Sequence, residues 1–131
     1  IDYFEKYTLN DIMINGISSR EAFEIVKEDI NNCSHVIGHN ITFDMGIMDK
    51  YFKRLNIPYN KPKLVCTMRQ STQFCKLKGK GKAYKIPKLS ELFFKCFNRE
   101  PDNTKTHTAD YDIEITHMCF RYLIQNNIII I

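Results

Sequence analysis

The chain has 131 residues and a mass of 15.5 kDa, 44% of them hydrophobic and 26% charged, which is the composition of one soluble globular domain with one core. Its longest purely aliphatic run, Ile128–Ile131, is far short of the ~20 residues a membrane helix needs, and the opening residues with Asp2, Glu5 and Lys6 do not resemble a signal peptide. A net charge of +4 suits a polyanionic partner without identifying one. The five cysteines, Cys33, Cys66, Cys75, Cys96 and Cys119, are odd in number and form no Cys-x-x-Cys pair. They read as reduced thiols of an intracellular protein rather than a disulfide framework or a zinc site.

Residues 1–17 read as extended or irregular. Ser18-Ser19-Arg20-Glu21 fits a capping box, in which hydroxyl and carboxylate satisfy free amides at a helix start. That helix is expected to run to about Asn31, with Ala22, Phe23, Val26 and Ile30 as its apolar stripe. Ser34–Gly38 reads as a short strand, and a second helix follows from about Phe43 to Leu55, capped by Asn40 or Thr42 and closed by Pro58. Its buried face is expected to hold Ile47, Met48, Tyr51 and Phe52, with Asp44 on the same side.

Leu64-Val65-Cys66 reads as a second strand leading into a helical turn near Met68–Phe74, and Lys76–Lys82 as a basic loop with two glycines. A helix from about Lys88 to Phe97 and a long one from about Thr108 to Gln125 complete the order, with Asn126–Ile131 a frayed tail. Strands alternating with helices indicate an α/β architecture with a parallel pair. Two or three strands are few for an independent sheet, so structure is expected to be missing from the N-terminal side.

The chemistry centres on two carboxylates. Asp44 occupies the first turn of its helix, where the dipole favours an anion, and Asp112 stands within the stripe Ala109, Asp112, Ile113, Thr116 and Phe120. Spacing leaves two readings of each: a solvated helix acid, or a charge on a buried face that requires a partner or a metal. His107, just before the last helix, reads either as a solvated imidazole or as a base near a site. The lysines Lys76, Lys78, Lys80, Lys82, Lys85 and Lys88, with Tyr84 among them, read either as a solvated loop or as a track for a phosphate backbone.

His39-Asn40-Ile41-Thr42-Phe43-Asp44 and His107-Thr108-Ala109-Asp110-Tyr111-Asp112 together resemble the second and third acidic motifs of the DEDDh 3′→5′ exonucleases, the DnaQ-like proofreading enzymes of the ribonuclease-H-like superfamily. Three further segments fall in that family's order: Asn15-Gly16-Ile17-Ser18, Cys66-Thr67 in the place of an Asp-Thr pair, and the helix entry Lys85-Ile86-Pro87-Lys88-Leu89-Ser90-Glu91-Leu92.

The resemblance implies a three-layer α/β/α fold with the first sheet strands absent from this chain, residues 1–126 being a partial exonuclease domain and 127–131 a tail. It implies a metal-dependent hydrolase that removes terminal nucleotides from the 3′ end of nucleic acid, DNA rather than RNA, with a polymerase as a possible partner. Asp44 and Asp112 would coordinate two divalent cations, Mg²⁺ or Mn²⁺, which hard oxygen ligands suit. His107 would orient the attacking water and take its proton, and Asn40 and Phe43 would shape the pocket for the terminal nucleotide; apart from the resemblance, Lys85 of the basic segment is expected to contact the substrate. Two departures stand beside this. No Asp-x-Glu precedes Asn15, so the first motif is expected upstream, and Asn15 replaces a histidine. An inactive relative that keeps the fold as a nucleic-acid- or polymerase-binding module is the alternative expectation.

Overall fold

The computed structural model describes residues 9–131; residues 1–8, read as part of an irregular segment, lie outside the described residues. In chain order the elements are α1 (Leu9–Asn15), α2 (Ser19–Asn32), β1 (His35–Gly38), α3 (Ile41–Arg54), β2 (Lys63–Cys66), α4 (Thr67–Gln70), α5 (Thr72–Cys75), α6 (Leu89–Phe97) and α7 (Ala109–Gln125). β1 and β2 pair in parallel, with His35 opposite Lys63 and Gly38 opposite Cys66. The expected mixed α/β architecture with a small parallel sheet is therefore present.

α2 starts as the sequence predicts. Ser18 Oγ accepts the Glu21 amide at 3.1 Å and Glu21 Oε2 accepts the Ser18 amide at 3.2 Å, so two orphan donors are satisfied reciprocally. Its stripe buries Ile30 and packs Phe23 edge-on to Phe52, with ring centroids 5.0 Å apart. Phe52 in turn stacks on Tyr59 at 4.2 Å. Ile30, Ile41, Met45, Phe52, Ile57 and Cys66 make one core cluster between α2, α3 and the sheet. A second is built from Val65, Cys75, Leu92, Phe93, Cys96, Ile115, Cys119 and Leu123, where α6 and α7 close over β2.

The structure corrects the sequence reading in several places. Leu9–Asn15, expected to be irregular, is a short helix with no buried residue; seven residues are too few for a periodic pattern to stand out. The single turn expected near Met68–Phe74 is two four-residue helices separated at Ser71. α3 begins two residues early, at Ile41, and Asn40 precedes it in the left-handed conformation (φ 70°, ψ 35°) without a side-chain cap bond; neither Asn40 nor Thr42 is the side-chain cap expected. The buried face also differs from the one expected. Ile41, Met45 and Phe52 are buried, whereas Ile47 and Tyr51 stay about two-fifths exposed (41% and 40%) and Asp44 is exposed.

The chain end is corrected as well. Instead of fraying, it turns back after α7: the Ile128 and Ile129 amides both donate to Leu123 O, at 2.8 and 3.2 Å. Ile129 is buried in the second cluster.

Candidate active site

The strand-to-helix turn after β1 is tight. A Cβ on Gly38 would lie 2.9 Å from Ile41 Cδ1 and 3.2 Å from Ile41 Cβ, so α3 enters directly against the end of the strand. This places Asp44 at the mouth of a cavity of about 600 Å³ whose walls come from the end of β1, the start of α3, the start of α6 and one face of α7. Asp112 lies on the same cavity. The two carboxylates, 68 positions apart in sequence, thus face one space.

One face of α7 forms a wall of this cavity. Ala109, Asp112, Ile113, Thr116 and Phe120 all line the cavity. The α7 core stripe is Ile115, Cys119 and Leu123 instead, roughly 75° around a helix of 3.6 residues per turn. The grouping read from the sequence is real and faces the cavity, with Phe120 also packed against the core cluster and Ile113 69% exposed.

Asp112 is oriented by the residue that the sequence placed beside it. His107 adopts a left-handed conformation (φ 69°), which aims its backbone N–H at Asp112 Oδ1, 3.1 Å away. Thr116 Oγ1 donates to Asp112 O at 2.6 Å in the same helix. The imidazole of His107 is on an exposed residue that does not line the cavity. Asn40 and Phe43 also stand off the cavity walls, Asn40 half-buried in the entry turn and Phe43 63% exposed. Lys85 is further removed: its Nζ pairs with Glu91 Oε1 at 2.5 Å, while Glu91 Oε2 accepts the Lys88 amide at 2.7 Å and starts α6.

One residue at the site was singled out only as the head of a motif. His39 lines the cavity and ties three segments together. Its Nε2 lies 2.9 Å from Pro87 O and its Nδ1 3.1 Å from Thr67 Oγ1. A carbonyl only accepts, so Nε2 carries the proton; in the neutral ring Nδ1 accepts from the Thr67 hydroxyl, which also lies 3.4 Å from Gly38 O. Burial pushes the His39 pKa below its ordinary value, partly opposed by the Pro87 carbonyl. The ring is a neutral bracket between the β1–α3 turn, the start of α4 and the entry to α6. Thr67 is fully buried. Three of the segments that carry the family resemblance therefore meet at one imidazole. His117 is a second cavity-lining histidine that the sequence did not single out; nothing in its spacing pointed there.

The family model for exonucleases of the RNase_T type matches residues 9–120. The chain belongs to this exonuclease family, the DEDDh group, and its fold is the corresponding ribonuclease-H-like α/β type. A similar sequence is that of a DNA polymerase III of PolC type from Pediococcus pentosaceus, 28% identical over 119 residues. That match covers 88% of this chain, and the chain spans 8% of that protein's length. No solved structure is significantly similar to the chain.

Members of the family typically use divalent metal ions. Asp44 and Asp112 fit that use in chemistry, since both bring hard carboxylate oxygens to one cavity. Among the described residues, no group of three or more His, Cys, Asp or Glu is gathered closely enough to hold an ion. The described residues thus supply part of a ligand set. No helix among the described residues is long and apolar enough to cross a membrane.

Proposed function

We propose that this chain contributes the second and third acidic motifs of a metal-dependent 3′→5′ exonuclease that hydrolyses the terminal phosphodiester bond of a nucleic-acid strand, DNA in preference to RNA. The observation that carries the reading is the convergence of Asp44 and Asp112 on one cavity, in a chain of the exonuclease family. The two carboxylates are the residues that hold divalent cations, Mg²⁺ or Mn²⁺. When bound, such ions stabilise charge on the attacking and leaving oxygens of the phosphoryl group.

The remaining work falls to the chain's own residues. His107 takes the proton of the attacking water, a task suited to an imidazole near neutrality, and its amide holds Asp112 in position at 3.1 Å. His39 fixes the turn from which Asp44 projects. Asn40 and Phe43, next to that turn, meet the terminal nucleotide. The family's first motif would add a further carboxylate pair to this ligand set.

The second reading, an inactive exonuclease-fold module that binds nucleic acid or a polymerase, is favoured by Asn15 in place of a histidine. One experiment separates them. A 5′-labelled single-stranded oligonucleotide, incubated with the full-length protein and Mg²⁺, should shorten from its 3′ end. Asp112→Asn should slow this on the order of 10³-fold, the loss of several kcal/mol of charge stabilisation, and His107→Ala by about 10²–10⁴-fold. Shortening that survives both Asp112→Asn and Asp44→Asn refutes the assignment, and tight binding without hydrolysis establishes the module.

A further inference from the structure

Between Lys76 and Lys88 the chain carries six lysines and no carboxylate, against a net charge of +4 for all 131 residues. The rest of the protein is therefore net negative by two, and the whole basic character resides in one thirteen-residue segment. This segment is built rather than slack. α5 ends on Lys76 in the left-handed conformation (φ 51°), Lys78 faces Tyr84 across an antiparallel bridge, and the Lys85 amide donates to Leu77 O at 2.8 Å. A Cβ on Gly79 would come within 2.6 Å of Ala83 O, so the ribbon closes only because that residue is glycine.

The lysines divide into two sets. Lys85 pairs with Glu91, and the Lys88 charge also acts on Glu91. Lys76, Lys78, Lys80 and Lys82 are exposed, and among the described residues no carboxylate pairs with them. Directly opposed residues of an antiparallel pair share a face, so Tyr84, 42% exposed, stands beside Lys78. The ribbon also runs straight into the cavity wall: Pro87 O holds His39, and Leu89 lines the cavity. From Lys85 to Leu89 the chain reaches at most about 14 Å.

We propose that this ribbon is a second holding site for single-stranded nucleic acid, outside the cavity. Lys76, Lys78, Lys80 and Lys82 take backbone phosphates a few nucleotides from the terminus, and Tyr84 stacks on one base. Spaced cations with an exposed ring among them suit unpaired strands of any sequence, because every base offers a π-face and every nucleotide a phosphate. The proposal rests on the exonuclease reading for what enters the cavity, and Lys85 has no part in it beyond anchoring the ribbon.

The test reads binding, not hydrolysis. Fluorescence anisotropy of a labelled oligo-dT 20-mer, in EDTA and over a series of salt concentrations, compares the full-length protein with K78Q/K80Q/K82Q and K78R/K80R/K82R. Removing three phosphate contacts should lower the slope of log affinity against log salt by about 2, with weaker binding at every salt concentration; the arginine triple should bind like the parent. A glutamine triple with unchanged slope overturns the proposal. So does an arginine triple as weak as the glutamine one, which would assign the effect to folding. Tighter binding of phosphatidylserine vesicles than of the oligonucleotide, lost in the glutamine triple, would reassign the ribbon to a membrane surface. Failure of the exonuclease reading shows separately, as absence of Mg²⁺-dependent 3′ shortening, and leaves the anisotropy result standing.

Discussion

At His39, burial favours a neutral ring. The Pro87 carbonyl accepts the Nε2 proton and, in the neutral ring, Nδ1 accepts from the Thr67 hydroxyl; a second proton would turn that hydroxyl onto Gly38 O, 3.4 Å away, and place a charge in a partly buried pocket. The folded pKa lies below the ordinary histidine value of about 6.5, so the unfolded chain takes up protons more readily as pH falls. Stability from this bracket is fully present above pH 6.5 and is lost as pH drops through the depressed folded pKa. Melting temperature should fall between pH 7 and pH 5, and Thr67→Val, which orphans Nδ1, should cost about 1–3 kcal/mol at pH 7. Equal melting of the parent at both pH values, with Thr67→Val indistinguishable from it, would remove His39 from this role. The motif showed that a histidine belongs here. Its partners, 28 and 48 positions away, could not be read from local spacing.

At the scale of elements, helix starts decide where the carboxylates point. Asn40 is one of a few non-glycine residues with positive φ, a conformation that asparagine tolerates and β-branched residues resist. It brings α3 up to Ile41 and leaves Asp44 on the rim of the core rather than in it. Asn40→Gly should stay within about 1 kcal/mol of the parent in urea denaturation, whereas Asn40→Val should lose about 1–3 kcal/mol. A valine variant as stable as the parent would mean that the turn is not constrained. Helical periodicity correctly grouped Asp112 with Ala109, Ile113, Thr116 and Phe120. It could not say that the group looks into a cavity, because one helix carries two apolar stripes and only packing chooses which is core.

Across the whole molecule, two clusters of buried side chains meet at the sheet, and the second is closed by the chain end. Ile129 is 2% exposed and packs with Leu123, itself fully buried. Ending the chain after Asn127 should therefore destabilise it by about 1.5–3 kcal/mol, the worth of one buried isoleucine, measured as a shift in denaturation midpoint. An unchanged midpoint would restore the view of residues 126–131 as a dispensable tail. Four consecutive isoleucines have no helical or strand period of their own, so only the docking of Ile129 marks the end as structural.

The amino-acid sequence by itself determined the order of the two strands and the four longer helices, the capping box at Ser18, the parallel pairing and the two acidic motifs, because these depend on residue type and short-range spacing. It also determined the concentration of lysines at 76–88, a matter of composition. Tertiary structure alone decided that Asp44 and Asp112 share one cavity, that His107 reaches Asp112 through its amide, that Lys85 is taken by Glu91, and that His39 joins three distant segments. Those are contacts between parts of the chain tens of residues apart, and they exist only once the helices have packed.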